Sequence, residues 1–237
     1  MPSDEGFPLD HPRFRQAHRL YLVLTNHCNY ACPWCSMYSS PEGRTWMSAE
    51  TCGKVLAGFP SCEVQLEGGE PTLHPKLMDF VRLACTHRGC RRIILCTNGK
   101  ALPREKKNLE EWLFPFGNDC TVKLSVNRYL LERDPGLLRL ALRIREIFAE
   151  TGGGRMLVVN VRLRKGDDDS MVLKAVSDAG LVPDSNVFYF RRYGRASGRL
   201  DWDAPVLAGR DFTMVNPDGK IFEADFVASS EAMKGLP

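Results

Sequence analysis

Three cysteines lie close together in one short run of the chain, Cys28-Asn29-Tyr30-Ala31-Cys32-Pro33-Trp34-Cys35. They are separated by three and then two residues, and they directly follow an apolar run, residues 20–24, that predicts a strand. One loop with this spacing can wrap three corners of a cubic iron–sulfur cluster, whose irons are usually bound by cysteine thiolates. Three ligands leave the fourth iron open, and an open iron can bind a substrate or a cofactor.

Two other interpretations fit the cysteines when they are taken alone. A structural zinc site needs four ligands, so zinc would require a distant fourth ligand such as His27 or Cys52. The three thiols could also be unrelated to each other. The spacing by itself leaves these alternatives open.

A second motif, Gly68-Gly69-Glu70-Pro71-Thr72, follows another strand-like run at residues 64–66. Together the two motifs resemble the radical S-adenosylmethionine (SAM) superfamily, which has a three-cysteine loop after its first barrel strand and a Gly-Gly-Glu-Pro motif after its second. Trp34 also fits, because the family favours an aromatic residue before the third cysteine. The resemblance covers roughly residues 20–193, and both motifs in this order are highly specific.

The resemblance implies a cofactor set and a reaction type. Cys28, Cys32 and Cys35 would hold a [4Fe-4S] cluster whose open iron binds SAM. Reductive cleavage of SAM would yield a 5′-deoxyadenosyl radical that abstracts hydrogen from the substrate. The electron would come from an external donor of the flavodoxin or ferredoxin type. The cofactor supplies the organic chemistry, and the protein supplies orientation and electrostatics.

Further residues are assigned to SAM binding, most of them by the same resemblance. We expect the glycines to let the backbone approach the ligand and Glu70 to contact the amino end of SAM. Asn127 replaces an aspartate of relatives, and Arg133 would bind the SAM carboxylate or remain a surface arginine. Asn160 and Arg162 share one face of a predicted strand by alternation and would face SAM or substrate. The full set is Trp34, Gly68, Gly69, Glu70, Pro71, Thr97, Asn98, Ser125, Asn127, Arg133, Asn160 and Arg162.

Strand-like and helix-like segments alternate along the chain, which predicts an α/β fold of six β/α units with a parallel sheet. This resembles the incomplete, open (β/α)6 radical SAM barrel, in which the chemistry sits at the C-terminal ends of the strands. Asp218-Gly219 predicts a short C-terminal β-hairpin extension. The predicted organisation is an N-terminal extension at 1–18, a core barrel at 19–196 and a C-terminal extension or lid at 197–237. The predicted strands are residues 21–24, 63–67, 92–97, 121–126, 156–161 and 187–190.

The length and composition of the chain are those of a single domain. The chain has 237 residues, 43% of them hydrophobic, and a net charge of +3. No apolar run is long enough to span a bilayer, and the first 18 residues lack the apolar core of a signal peptide. Nine cysteines cannot all pair with each other, so a reducing compartment, the cytoplasm, is expected. We expect neither nucleic acid nor membrane as a partner.

The C-terminal residues bear on the substrate. A Tyr-Gly-Arg-Ala stretch at 193–196 resembles relatives with a SPASM or twitch region, but no cysteine follows Cys120, so we expect one cluster only. The other six cysteines are interpreted as packing thiols. Tyr193 and Arg195 are expected to line the substrate pocket, and residues 211–237 to cover the open side of the barrel.

A small biosynthetic intermediate is the favoured substrate, because 18 residues are too few for a peptide-recognition domain. The expected outcome is rearrangement, epimerisation, reduction or radical coupling. The alternatives are a maturase acting on a ribosomal peptide delivered by a separate protein, and a non-catalytic iron–sulfur protein. The intact Gly-Gly-Glu-Pro motif argues against the last of these.

Overall fold

The apolar runs of the sequence form a seven-stranded parallel sheet in the computed structural model, which describes residues 18–204 and 211–237. All but one residue of the predicted N-terminal extension therefore lie outside the described residues. The spatial order of the strands is β6-β5-β4-β3-β2-β1-β7. The strands are β1 (His18–Val23), β2 (Cys62–Glu67), β3 (Cys90–Thr97), β4 (Cys120–Val126), β5 (Met156–Leu163), β6 (Ser185–Tyr189) and β7 (Phe212–Val215).

Helices connect the strands, as parallel pairing requires. Local signals set several of their ends: Ser48 caps the first helix through the backbone N–H of Thr51, and Gly152, at φ +64°, follows the fifth. Within the described residues, no helix combines the length and the apolar character needed to cross a bilayer. The helices are α1 (Ala49–Ala57), α2 (Leu77–Thr86), α3 (Lys106–Leu113), α4 (Arg128–Arg133), α5 (Leu137–Thr151), α6 (Ser170–Asp178) and α7 (Phe226–Lys234).

The two faces of the sheet differ in chemistry. Side chains on the outer face, such as Leu22, Leu66 and Leu95, are completely buried and pack against the helices in one large core. Intervening residues such as Gln65 and Lys123 lie on the inner face, where they hydrogen-bond to each other across the barrel interior. Because period-two alternation separates the faces, a polar interior and an apolar exterior coexist on the same strands.

The six predicted strands are confirmed, and the fold is the α/β half-barrel that the sequence predicted. The C-terminal hairpin differs in one respect. Its turn forms around Gly219, at φ +84°, but its first arm is β7, which pairs in parallel with β1. Phe212 and Met214 of β7 are buried. Burial of these side chains and pairing of the β1 edge make β7 a strand of the main sheet, and the second arm of the hairpin, residues 221–223, returns antiparallel to it.

Candidate functional site

The cysteine loop (residues 28–35) follows β1 at the C-terminal edge of the sheet. Cys28 is buried, while Cys32 and Cys35 are half-buried. Burial raises the pKa of Cys28 and of Cys32 to about 12, because a thiolate there is stripped of water. Ligation to iron replaces the thiol proton with positive charge and thereby offsets that cost. The donor set therefore fits an iron–sulfur cluster.

No three His, Cys, Asp or Glu side chains within residues 18–204 and 211–237 converge on a point where a single metal ion would bind. The ligands of a cubic cluster bind different irons, so they need not converge in that way. Three soft thiolates on one loop are the ligand type that such clusters use.

The glycines of the Gly-Gly-Glu-Pro motif (residues 68–71) pack against the backbone that leads into the cysteine loop. A Cβ atom at Gly69 would lie 2.0 Å from the carbonyl oxygen of His27, and one at Gly68 would lie 2.6 Å from that of Thr25. The N–H groups of Gly69 and Glu70 donate to these same carbonyls, of Thr25 and His27, at 2.7 and 2.8 Å. We expected a ligand to require the glycines, but this backbone contact alone already excludes a side chain.

Glu70 is completely buried, and its carboxylate accepts four hydrogen bonds. The donors are the N–H and hydroxyl of Thr72 at 3.2 and 2.5 Å, the hydroxyl of Thr97 at 2.6 Å and the N–H of Asn98 at 2.8 Å. Burial raises the pKa of this carboxyl, and the donors act in the opposite direction. These four hydrogen bonds position the Glu70 carboxylate at the junction of the loops after β2 and β3, and a contact between Glu70 and SAM stays a prediction.

Asn98 connects the end of β3 to the cysteine loop. Its Nδ2 donates to Oδ1 of Asn29 at 2.8 Å and lies 3.7 Å from Sγ of Cys28. An N–H group directed at a ligating sulfur stabilises the thiolate and tunes a bound cluster. Through Glu70 and Asn98, the loops after β1, β2 and β3 form one hydrogen-bonded unit.

Arg195 holds the cysteine loop from the other side. Its guanidinium donates to the carbonyls of Cys32 at 3.1 Å and Tyr38 at 3.0 Å, and its backbone N–H donates to Cys35 at 2.9 Å. Gly194, at φ +64°, permits this approach, because a Cβ there would lie 2.4 Å from the Cys35 carbonyl oxygen. That Arg195 also lines the substrate pocket stays a prediction. In the sequence, the signal for this contact with the cysteine loop was the glycine that directly precedes Arg195, because glycine allows a positive φ.

Two of the predicted SAM contacts have local partners instead. The side chain of Asn127 accepts a hydrogen bond from the N–H of Leu130 at 3.0 Å and thereby caps α4. Arg133 is exposed, and its guanidinium lies 3.5 Å from the ring centre of Tyr129. These contacts account for both residues without a ligand.

Other predicted residues do face the barrel interior. Ser125 and Asn160 are register partners on β4 and β5, are half-buried, and hydrogen-bond to no side chain among the described residues. The ring centre of Trp34 lies 5.1 Å from that of Phe190 and 6.0 Å from that of Tyr129. The buried Nε1 of Trp34 has no partner in the described chain. Pro71 is buried and begins a single 3₁₀ turn after the motif.

Two charged residues inside the barrel, Lys123 and Glu67, were not predicted from the sequence as part of the site. Lys123 of β4 is paired in register with Cys96 of β3 on the interior face. Its Nζ donates to Oε1 of Gln65 at 2.8 Å, and the amide of Gln65 donates in turn to the carboxylate of Glu67. The available signal was the repeated placement of polar residues at alternate positions of otherwise apolar strands.

Comparison with known proteins identifies the class. Residues 22–114 match the family model described as the Radical SAM superfamily. The match includes both the cysteine loop and the Gly-Gly-Glu-Pro motif, and it supports membership of this superfamily.

Relatives of known name match the same part of the chain. The GTP 3′,8-cyclase of Mannheimia succiniciproducens is 30% identical over 104 residues, which are 41% of this chain and 30% of the relative. The GTP 3′,8-cyclase of Synechococcus elongatus is 34% identical over 91 residues, 36% of this chain and 28% of the relative. The chain thus spans less than a third of the length of these two curated relatives.

Among solved structures, Streptococcus suis SuiB bound to S-adenosylmethionine superposes with a TM-score of 0.56 at 16% identity. The match covers 80% of this chain and 44% of SuiB. SuiB bound to the precursor peptide SuiA gives a TM-score of 0.55 at 18% identity, over 74% of this chain and 40% of that one. At these identities the likeness concerns the fold.

Proposed function

We propose that this protein is a radical SAM enzyme that uses one [4Fe-4S] cluster to act on a small biosynthetic intermediate. When bound, the cluster and SAM together supply a 5′-deoxyadenosyl radical that abstracts hydrogen from the substrate. The observation that carries the proposal is the hydrogen-bonded unit in which Glu70 and Asn98 join the Gly-Gly-Glu-Pro motif to the cysteine loop. A protein that only stored or carried electrons would not need this second loop.

Different residues of the chain would hold the cluster, bind SAM and shape the site. Cys28, Cys32 and Cys35 would hold the cluster, and Arg195 keeps their loop in place. The carbonyls of Gly68 and Gly69 accept no hydrogen bond from the described residues, which leaves them for the amino group of SAM. Ser125 and Asn160 would bind its polar atoms from the barrel interior. Trp34, Thr97, Pro71, Asn127 and Arg133 would shape the surrounding wall rather than bind SAM through charge.

A small substrate is favoured over a peptide. The relatives at 30% identity or more are named for a reaction of GTP, a small molecule. The polar interior provides enclosed hydrogen-bonding groups of the kind that small polar molecules use. All nine cysteines are described and unpaired, which supports a reducing compartment, the cytoplasm, where a flavodoxin or ferredoxin type of donor would supply the electron.

The test is anaerobic reconstitution followed by incubation with SAM and dithionite. We expect about four irons per chain and formation of 5′-deoxyadenosine. Cys32→Ala should abolish both. Cys120→Ala, at a buried thiol in β4, is the matched control and should retain both.

Other outcomes select other functions. A cluster without 5′-deoxyadenosine would indicate a non-catalytic iron–sulfur protein, and about eight irons would reveal a second cluster. Product formation only from a peptide delivered by a separate recognition protein would indicate a maturase.

A further inference from the structure

The barrel interior carries more positive than negative charge. Four cations and two carboxylates lie on the inner face of the strands, which leaves a formal charge of +2: Arg19, Arg92, Lys123 and Arg162 against Glu63 and Glu67. At the N-terminal end of the strands the charges are balanced or bonded. Arg19 pairs with Glu63 at 2.6 Å, and Arg92 donates to the Gly154 carbonyl at 2.7 Å and to Thr121 at 3.2 Å. Arg92 carries one of the two excess charges, and Lys123, Arg162 and Glu67 leave the other nearer the cysteine loop.

Lys123 has unused donors in this region. Among the described residues its Nζ donates one hydrogen bond, to Gln65 at 2.8 Å, although an ammonium group has three N–H donors. Gln65 also donates to Glu67, so the amide links the cation to the acid. Burial lowers the pKa of Lys123 to about 8 and raises that of Glu67, because both charges are stripped of water.

Arg162 has fewer polar partners than Lys123. Its guanidinium makes no hydrogen bond or ion pair with any described residue, and its Nε is buried without a partner. The guanidinium carbon lies 5.2 Å from the ring centre of Phe188. Burial raises the pKa of Cys32 and of Glu67, and the charge of Arg162 opposes that rise at both groups.

Buried cations without a counter-charge are costly, and a bound anion relieves that cost. A cavity with an excess of one charge also concentrates ligands of the opposite charge. Arginine suits a planar or tetrahedral oxyanion through paired hydrogen bonds, while lysine contributes a compact charge. Glu67 has one carboxylate oxygen that accepts no hydrogen bond from the described residues and can accept one from a ligand.

We propose that Lys123 and Arg162 bind an anionic group of the substrate, a carboxylate or a phosphate, inside the barrel, with Glu67 accepting a hydrogen bond from the same molecule. This inference rests on the proposed function, because it takes the barrel interior as the substrate site. It assigns Arg162 to the substrate rather than to SAM. Burial raises the pKa of Tyr193, and the charge of Arg162 opposes that rise.

The experiment titrates two simple anions, inorganic phosphate and malonate, into the reconstituted protein by calorimetry, with and without saturating SAM. At least one anion should bind, and its affinity should be unchanged by SAM. Lys123→Met and Arg162→Gln should each weaken binding roughly ten- to hundredfold, as loss of a charge-assisted hydrogen bond predicts. The anion that binds more tightly distinguishes a carboxylate substrate from a phosphorylated one.

Matched controls lie on the surface. Lys107→Met and Arg139→Gln remove the same charges from exposed positions and should leave the anion affinity unchanged. Lys123→Arg keeps the interior charge and should retain most of the affinity, which separates loss of charge from a disturbed fold.

Three outcomes would overturn the inference. These are no binding of either anion to the wild type, displacement of the anion by SAM, and equal losses in the surface controls. Displacement by SAM would reassign Arg162 to the SAM carboxylate. Iron content and 5′-deoxyadenosine formation are measured separately, so failure of the anion site is distinguishable from failure of the proposed function.

Discussion

Replacing Glu70 with glutamine tests the junction of the three loops. All four groups that contact the carboxylate act as donors to it: two from Thr72, one from Thr97 and one from Asn98. A glutamine oxygen can keep the three donors on the Oε1 side. Its amide nitrogen then faces the N–H of Asn98, donor against donor, in a fully buried place.

The cost follows from that mismatch. One charge-assisted hydrogen bond is lost and a buried N–H is left without an acceptor. Together these changes destabilise the folded protein by about 1–3 kcal/mol. For a chain of this size, the melting temperature should fall by roughly 2–12 °C. Thr97→Val removes one donor without reversing another, so it should cost about 1 kcal/mol.

The assay is thermal unfolding of the reconstituted protein under anaerobic conditions, followed by circular dichroism. Glu110→Gln on α3 is the matched control, because Glu110 is exposed, and its melting temperature should equal that of the wild type. If Glu70→Gln melted together with Glu110→Gln, the four hydrogen bonds would not stabilise the site, and the positioning role of Glu70 would be wrong.

Three further predictions concern the same site. Gly69→Ala should prevent cluster assembly, measured as iron content, because its Cβ would lie 2.0 Å from the His27 carbonyl oxygen; Gly53→Ala, where nothing lies within 4 Å, is the control. Arg195→Met should lower iron retention under a chelator, because the Cys32 carbonyl loses its donor at 3.1 Å; retention equal to wild type would contradict the role. The pKa of Lys123 is lowered to about 8 in the folded protein, so between pH 8 and pH 10.5 the unfolded chain binds more protons than the folded one. The free energy of unfolding of the wild type should therefore rise with pH in that window relative to that of Lys123→Met, as measured by urea titration. An identical pH dependence in both proteins would contradict the burial of this charge.

Burial is the largest cause of the lowered pKa of Lys123, and Arg19, Cys96, Glu67 and Glu63 also act on it. Burial raises the pKa of Cys96 to about 12, above the window. Comparing the two proteins also cancels the titration of surface groups, which both share.

Much of the fold was predictable from local pattern. Short apolar runs alternated with helical stripes, and all six predicted strands form. The turn at Asp218-Gly219 was also predicted, since Gly219 adopts a positive φ of +84°. What the pattern could not show was that β7 lies beside β1, because the pairing joins Phe212 to Arg19 across most of the chain.

In the candidate site, too, local features were predictable from the sequence and long-range partners were not. The spacing of Cys28, Cys32 and Cys35 predicted one loop that carries three thiols after β1, because residues on one short loop need only local geometry to lie together. The partners of single polar residues were not determined locally. Asn127 caps a helix, and Arg133 stacks on Tyr129, although sequence position alone suggested SAM contacts for both.

By itself the sequence determined the strands, the cysteine loop and the Gly-Gly-Glu-Pro motif, because each depends on residues within a few positions of one another. Tertiary structure alone decided that Glu70 bonds to Asn98, 28 residues away, and Arg195 to Cys32, 163 residues away. It also gathered Lys123, Glu67 and Arg162 into one interior space. Buried polar groups must find partners wherever the packed chain provides them, and only the folded half-barrel determines which groups those are.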